Sequence, residues 1–437
     1  MTQIDIHLAP EKLEEGTPEE QAAFGLVRIM ADGRSLTQGY DTFIDGPREG
    51  PLVSGYHLAE WLSWNWWRLK CEPRPPRNPS LSWKFSHCLH TIGEGYVWPN
   101  LTIHSDGFRA ALESNRSAEG PTVFRYFGAT PVLALWADVE AAIDHFVGVV
   151  LSRLDGATVR DSNLHTVWKE LCAERSDPEM ARYRALEAKL GYDPGEADEA
   201  TLNARLAEAR ILGDEAVGEL ASLAAMRSPD AAELMTAGEL RTLARQQGQP
   251  LNTADGVSPA LASDLFWGMG PAHEIGVALA HRVRAQTSAG DGQIGDRELA
   301  ALAGTLPSIL EPQSIRGGLS FGLLDDGGTA TAILSGTRTE NRRFELARLI
   351  GGRIMRPEGG LFPVTDARTY RQKAQRAFAA ELLAPIDAVR DMAGDDFSED
   401  RQEEIAEHFR VSPMVINRLL TNNRVIDRDP FDYLEVA

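Results

Sequence analysis

Residues 54–70, SGYHLAEWLSWNWWRLK, form a predicted helix that carries large side chains on two of its faces. Ser54 is a suitable N-cap for this helix. One stripe at helical spacing consists of Leu58, Trp61, Leu62, Asn65, Trp66 and Leu69. A second stripe consists of His57, Glu60, Trp64 and Trp67. A helix of this kind must be buried on two sides, inside its domain or against a partner. We therefore predict that Trp64 and Trp67 contribute to an interface.

The composition is typical of a folded protein without membrane spans. The chain has 437 residues, of which 43% are hydrophobic and 25% charged, and this length favours two or three domains. Its formal net charge of -20 opposes non-specific nucleic-acid binding, which depends on neutralising phosphates. The first residues lack the basic start and apolar run of a secretory signal. The three cysteines have no CxxC spacing, so we expect free thiols and a cytoplasmic protein with no membrane partner.

The order of predicted elements indicates an α+β fold in three parts. Residues 1–155 are predicted as an α+β domain that contains the Trp-rich helix and a hairpin around Ser105-Asp106-Gly107. Residues 156–250 have helical periodicity and almost no strand signal, which predicts a helical connector or small bundle. Residues 251–437 are mixed again, with a predicted hairpin around 325–328, two longer helices and two short helices at the end.

Three motifs in this last part occur in a specific order. The first is Arg342-Arg343-Phe344-x-Leu346-Ala347, and the second is Phe378-Ala379-Ala380-Glu381-Leu382-Leu383-Ala384-Pro385. The third is Ile405-Ala406-x-x-Phe409-x-Val411-Ser412-Pro413. Together they resemble the ImmA/IrrE family of zinc metallopeptidase-like proteins. That family is often tied to mobile elements, stress regulation or phage defence in bacteria. The resemblance implies a zincin-like C-terminal domain and says nothing about residues 1–250.

The resemblance also implies where a zinc site would lie. In the family the first motif is followed directly by HExxH, whose two histidines bind Zn²⁺ while the glutamate acts as general base. Those three positions are Arg348, Leu349 and Gly352 here, and the position of the family's third ligand, a glutamate, is Ala374. None of these four side chains is a zinc ligand or a base. We therefore expect a degenerate zincin that has no cofactor and is not a peptidase.

Basic side chains are concentrated around the former zinc position. We predict that Arg343, Arg348, Arg353, Lys373 and Arg376 line a basic groove, where they would bind a carboxylate, a phosphate, a nucleic acid or an acidic protein segment. The alternative is that these side chains pair with the acidic residues of the chain itself or form a solvated face.

Two other segments contain residues suited to a metal site or to DNA binding, and each also has a purely structural interpretation. His87, His90 and His104 would suit a metal site, and hence an enzyme in the N-terminal domain, or they simply pack at the edge of their helix and hairpin. Residues 401–423 resemble a helix-turn-helix whose Asn417 and Arg418 would contact DNA in a transcriptional regulator. The first helix of that segment is acidic and would repel phosphates.

The function that these observations favour is non-catalytic. We predict a pseudoenzyme that acts as a protein-binding or regulatory subunit, with a protein partner, in a bacterial defence, toxin–antitoxin or mobile-element system. This setting follows from the resemblance alone.

Overall fold

The fold was analysed on a computed structural model of the chain, which divides into two compact units, Met1–Asn203 and Ala204–Val436. The structure describes residues 2–75, 79–118, 120–227, 235–252, 254–265, 267–313, 318–324, 330–355 and 359–426. Helices and antiparallel sheets occur in both units, so the predicted α+β class is confirmed. In the described part of the chain, no helix is both long and apolar enough to cross a membrane.

The N-terminal unit contains three small antiparallel sheets. Its strands are β1 (Ile4–Pro10), β2 (Phe24–Ala31), β3 (Arg34–Ser35), β4 (Gly39–Asp41), β5 (Gly46–Arg48), β6 (Leu52–Ser54), β7 (Leu101–Ser105), β8 (Arg109–Ser114), β9 (Phe124–Tyr126) and β10 (Val132–Leu135). The first sheet has the order β1-β2-β3, with β6 also paired to β2. The other two have the orders β10-β8-β7 and β5-β4-β9. The hairpin predicted around residues 105–107 is the β7–β8 pair.

Seven α-helices lie wholly within the described part of this unit. They are α1 (Pro18–Ala23), α2 (Gly55–Trp64), α3 (Trp66–Cys71), α4 (Leu81–His87), α5 (Trp136–Gly156), α6 (Asn163–Ser176) and α7 (Pro178–Lys189). The helix predicted over 54–70 is interrupted at Asn65, whose side-chain amide donates to the Trp61 carbonyl at 2.9 Å. Because α6 and α7 bury Leu164, Leu171 and Ala188 in the core of this unit, part of the predicted helical connector belongs to it.

The C-terminal unit is built around one four-stranded antiparallel sheet. Helix α8 (Glu199–Leu212) spans the boundary between the units, and α9 (Asp214–Arg227) and α10 (Ala237–Gln247) follow it. The strands are β11 (Gln249–Leu251), β12 (Ser320–Leu324), β13 (Ala330–Ile333) and β14 (Leu361–Val364), in the order β11-β13-β12-β14. The predicted turn at 325–328 lies outside the described residues.

The remaining helices pack on this sheet and on one another. They are α11 (Ala272–Arg284), α12 (Asp296–Ala303), α13 (Thr339–Met355), α14 (Tyr370–Leu383), α15 (Ile386–Ala393), α16 (Glu399–Phe409) and α17 (Pro413–Asn422). Phe378 of α14 is fully buried beside α13, since a Cβ atom at Gly351 would lie 2.6 Å from its ring. The sequence 341–354 is therefore part of a buried helix, and α13 and α14 carry the positions that the sequence comparison with the metallopeptidase motif singled out, Arg348, Leu349, Gly352 and Ala374.

Candidate functional site

Arg348 on α13 faces α14 and the end of β14. Its Nη2 donates to the Thr365 carbonyl at 2.6 Å and to Oε1 of Gln372. The backbone fixes the Gln372 amide, because Nε2 donates to the Pro363 carbonyl and Oε1 accepts from the Thr365 amide, both at 3.0 Å. Burial lowers the pKa of Arg348 to about 10, against the attraction of nearby acids. The guanidinium at this position is therefore held inside the protein by a rigid set of acceptors.

Gly352, one turn after Arg348, lies against Gln375 of α14. A Cβ atom at Gly352 would lie 2.6 Å from Nε2 of Gln375. Gln375 is fully buried, and neither atom of its amide has a hydrogen-bond partner among the described residues. Ala374, at the position of the family's third ligand, is fully buried as well. Side chains of the protein itself thus occupy the contact where the second histidine would project.

Arg376 approaches Arg348 from α14. Its Nη1 donates to the Ala367 carbonyl at 3.1 Å and to the Thr365 carbonyl at 3.4 Å, so both guanidiniums contact the same carbonyl. Burial, followed by the positive charge of Arg348, lowers the pKa of Arg376 to about 9. The side chain of Arg376 is only half-buried, and it marks the side from which this arginine pair is reached.

Two of the other predicted groove residues, Arg343 and Arg353, have their partners elsewhere in the C-terminal unit. Arg343 is fully buried, where it pairs with Asp296 and donates to the Ile294 carbonyl at 2.7 Å. Arg353 is buried and donates to the Val257 carbonyl at 3.1 Å. Lys373 is half-buried on α14.

Helix geometry accounts for this separation. Arg343, Arg348 and Arg353 are five residues apart, and at about 100° per residue each points about 140° away from the last. These three arginines therefore do not line one groove, whereas Arg348 and Arg376 contact the same carbonyl.

Of the three histidines predicted for a metal site, His87 and His104 are buried, each beside a glutamate, and His90 is exposed. His87 is fully buried, with Nε2 3.1 Å from Oε2 of Glu72 and Nδ1 2.8 Å from the Ile103 carbonyl. Arg68 donates to the same Glu72 oxygen at 2.7 Å. Burial alone would raise the pKa of Glu72, but the hydrogen bonds and charges of His87 and Arg68 outweigh it and hold the pKa below its usual value.

His104 belongs to a second group of the same kind. Its Nε2 lies 3.2 Å from Oε1 of Glu113, which also accepts from Arg74. Burial opposes ionisation of Glu113, yet His104 and Arg74 hold its pKa below the usual value. His90 is exposed, away from these contacts. Within the described ranges, no group of three or more His, Cys, Asp or Glu side chains is arranged to hold a metal ion.

The two predicted interface tryptophans have different environments. Trp67 is buried and its Nε1 donates to Glu174 at 2.8 Å, so it packs within the N-terminal unit. Trp64 is 49% exposed. Leu81 and Phe85, one turn apart on α4, are 71% and 59% exposed, and the Phe85 carbonyl accepts a hydrogen bond from Trp61 on α2. Trp64 is therefore the residue that remains available to a partner.

Asn417 and Arg418 are exposed on α17, which follows α16 after a short turn. The Asn417 amide donates to Gln402 of α16 at 3.2 Å. Glu403, Glu404 and Glu407 are exposed on α16. Helices α16 and α17 are the two helices expected in this segment, and α16 presents these three carboxylates to solvent.

Sequence reasoning missed the groups that contact the predicted residues. These are Gln372, Gln375, Glu72 and Glu113. The spacing of Gln372 and Gln375, three residues apart on a helix with buried neighbours, was the available signal for a polar contact with α13. No family model, curated protein or solved structure matches this chain.

Proposed function

We propose that this protein is a non-catalytic pseudo-metallopeptidase that acts as a cytoplasmic protein-binding or regulatory subunit. The observation that carries the proposal is the α13–α14 contact. Arg348 is hydrogen-bonded to Gln372 and Thr365, and Gly352 lies against Gln375. A zinc-binding helix needs two histidines on one face and space for the metal beside them. This contact has no histidine, and Gln375 occupies the place beside Gly352 where the second one would project.

The resemblance to the ImmA/IrrE family supplies the biological setting of the proposal. It favours a bacterial defence, toxin–antitoxin or mobile-element system, in which the pseudo-peptidase unit would regulate rather than cleave. Fold-level analogy of this kind indicates a setting and not a partner.

A protein partner is best accommodated by the N-terminal unit. Trp64 is a large, half-exposed aromatic side chain, the type that contributes most binding energy when an interface covers it. Leu81 and Phe85 add exposed apolar area on α4. We define Trp64, Leu81 and Phe85 as the apolar patch and propose that it contacts the partner.

Two measurements on the full chain test the proposal. Purified protein is analysed for zinc by mass spectrometry and assayed for cleavage of an unfolded protein substrate. We expect far less than one zinc per chain and no cleavage. One zinc per chain together with cleavage that a chelator abolishes would contradict the non-catalytic function.

The second measurement is affinity capture from the native host with Trp64→Ser. Phe43→Ser is the matched control, since Phe43 is also exposed in this unit but lies between β4 and β5. We expect one partner to be recovered with the parent chain and the control and lost with Trp64→Ser. Equal recovery by all three chains would remove the apolar patch from the proposal.

A further inference from the structure

Two positive charges lie together inside the C-terminal unit. Arg348 is 5% exposed and Arg376 half-buried, and both guanidiniums donate to the Thr365 carbonyl. Both guanidiniums donate to carbonyl or amide oxygens, and neither forms an ion pair with a carboxylate of the described residues. Buried cations of this kind are stable only when negative charge reaches them.

The carboxylates around this pair act on it from a distance. Asp366, which is exposed, and Glu219, which is buried, attract both guanidiniums from beyond ion-pair distance, and Glu345 attracts Arg348. Arg368 adds positive charge beside Arg376. Three carboxylates thus face three arginines, but no ion pair joins any of these carboxylates to Arg348 or Arg376 within the described residues. The two guanidiniums therefore keep room for an anion in direct contact.

Unpartnered polar atoms lie at the same helix contact. Nε of Arg348 is buried and has no partner among the described residues, and the same holds for both amide atoms of Gln375. Gln375 lies one turn after Gln372, which contacts Arg348, and beside Gly352, one turn after Arg348. Each such buried group costs free energy when it stays unsatisfied. The contact thus offers several donors together with one amide acceptor.

We propose that Arg348, Arg376 and Gln375 bind a phosphate group in its hydrogen-phosphate form. The phosphate oxygens accept from the two guanidiniums and from Nε2 of Gln375, as arginines commonly do with phosphate. The P–OH proton is donated to Oε1 of Gln375. Sulfate and acetate carry no such proton at neutral pH, so the unpartnered amide oxygen favours phosphate over both. Entry is from the side of Arg376, which solvent reaches.

This inference uses the same helix contact as the proposed function, but it requires neither the loss of zinc nor a protein partner. The phosphate would stabilise the α13–α14 contact as a bound effector. Its source is inorganic phosphate or the singly charged, protonated form of a phosphate monoester, both of which carry a P–OH group. Zinc content and Trp64-dependent capture are measured separately, so either proposal can fail alone.

The test is thermal unfolding of the full chain in inorganic phosphate, sulfate, acetate and glycerol phosphate, with ionic strength matched by chloride. Phosphate near saturation is expected to raise the Tm of the responding transition by roughly 5 °C. Sulfate also stabilises proteins by exclusion from the surface, so variants separate binding from that effect. If glycerol phosphate also raises the Tm, the site accepts phosphate monoesters. If only inorganic phosphate raises the Tm, the site binds the free ion.

Arg376→Gln is expected to lose the phosphate shift, whereas Arg245→Gln, the same change at an exposed position of this unit, keeps it. Gln375→Leu removes the unsatisfied amide, so it folds and loses the preference for phosphate over sulfate. Cooperative unfolding in chloride shows that each variant is folded. A full phosphate shift in Arg376→Gln, or equal shifts of the parent chain in phosphate, sulfate and acetate, overturns the proposal.

Discussion

Nε2 of His87 lies 3.1 Å from Oε2 of Glu72, inside the N-terminal unit. The other ring nitrogen lies 2.8 Å from the Ile103 carbonyl, so both ring nitrogens face acceptors. Burial opposes ionisation of Glu72, but the hydrogen bonds and charges of its partners hold its pKa below the usual value, which favours the carboxylate. Glu72 and Arg68 thus form a buried ion pair, and His87 contacts the same carboxylate oxygen.

We expect the N-terminal unit to lose stability in acid. Glu72 and Glu113 have folded-state pKa values below the ordinary 4.5, so each stabilises the fold above the unfolded pKa and loses this effect as the pH falls through the folded value. The free energy of unfolding should therefore fall below about pH 4.5. Urea unfolding at a series of pH values measures it, and tryptophan fluorescence reports this unit because Trp267 alone lies outside it.

Glu72→Gln provides the matched variant for the acid experiment. Removing one partner of a buried pair costs roughly 3 kcal/mol. In this variant Arg68 loses its buried counterion and keeps only Asp193, whose side chain is 40% exposed. The variant should be less stable at neutral pH and should lose part of the acid dependence. Glu94→Gln, at an exposed position, should change neither quantity. An unchanged acid profile in Glu72→Gln would contradict the ion pair.

Glycines at two helix contacts should respond differently to alanine. A Cβ atom at Gly276 of α11 would lie 2.4 Å from the Ala374 carbonyl oxygen, which is backbone and cannot move aside. At Gly352 the nearest atom is the Gln375 amide, 2.6 Å away at the end of a flexible side chain. Gly276→Ala should destabilise the unit by roughly 3 kcal/mol. Gly352→Ala should change stability by less than about 1 kcal/mol, because helix propensity improves. Chemical denaturation of both variants checks the order, and a reversed order would contradict it.

The sequence predicted the long helices because their cores follow helical spacing without interruption. Apolar residues at helical spacing predict helices over about 136–154 and 369–384, and the structure has helices at Trp136–Gly156 and Tyr370–Leu383. The break at Asn65 was not predicted, since the apolar spacing of α2 continues into α3 and the interruption is a local change of the Asn65 backbone, with φ -91° and ψ 4°. Strand β1 was also missed. Its partner β2 follows a polar stretch, so the pairing of Ile4 with Ala31 is not visible from local pattern.

The site was predictable only in part, for two physical reasons. The spread of Arg343, Arg348 and Arg353 around α13 follows from their spacing, and a count at 100° per residue would have found it. The pairing of His87 with Glu72 could not be found in this way. It joins a helix to a segment that precedes it by 15 residues, and only the tertiary fold brings them together.

We expect no DNA binding by α17. Asn417 and Arg418 are exposed, but Glu403, Glu404 and Glu407 on α16 present negative charge beside them. Charges of this sign oppose the phosphate contacts that supply most of the affinity for DNA. Electrophoretic mobility shift with genomic fragments at low salt should show no retarded band. A retarded band that Arg418→Gln removes and the exposed control Arg245→Gln retains would establish the regulator function instead.

Restoring the family's motif should not by itself restore zinc binding. Arg348→His, Leu349→Glu and Gly352→His together rebuild HExxH on α13, and two histidines with this spacing share one face. The second histidine, however, would project into Gln375, because even a Cβ atom at Gly352 lies 2.6 Å from Nε2 of that side chain. Adding Gln375→Ala removes the obstruction. We therefore expect little zinc in the triple variant and more in the quadruple variant, measured by mass spectrometry after dialysis. Gln402→Ala in place of Gln375→Ala, at a buried glutamine of α16, should give no increase. Stoichiometric zinc in the triple variant would mean that Gln375 does not obstruct the metal position.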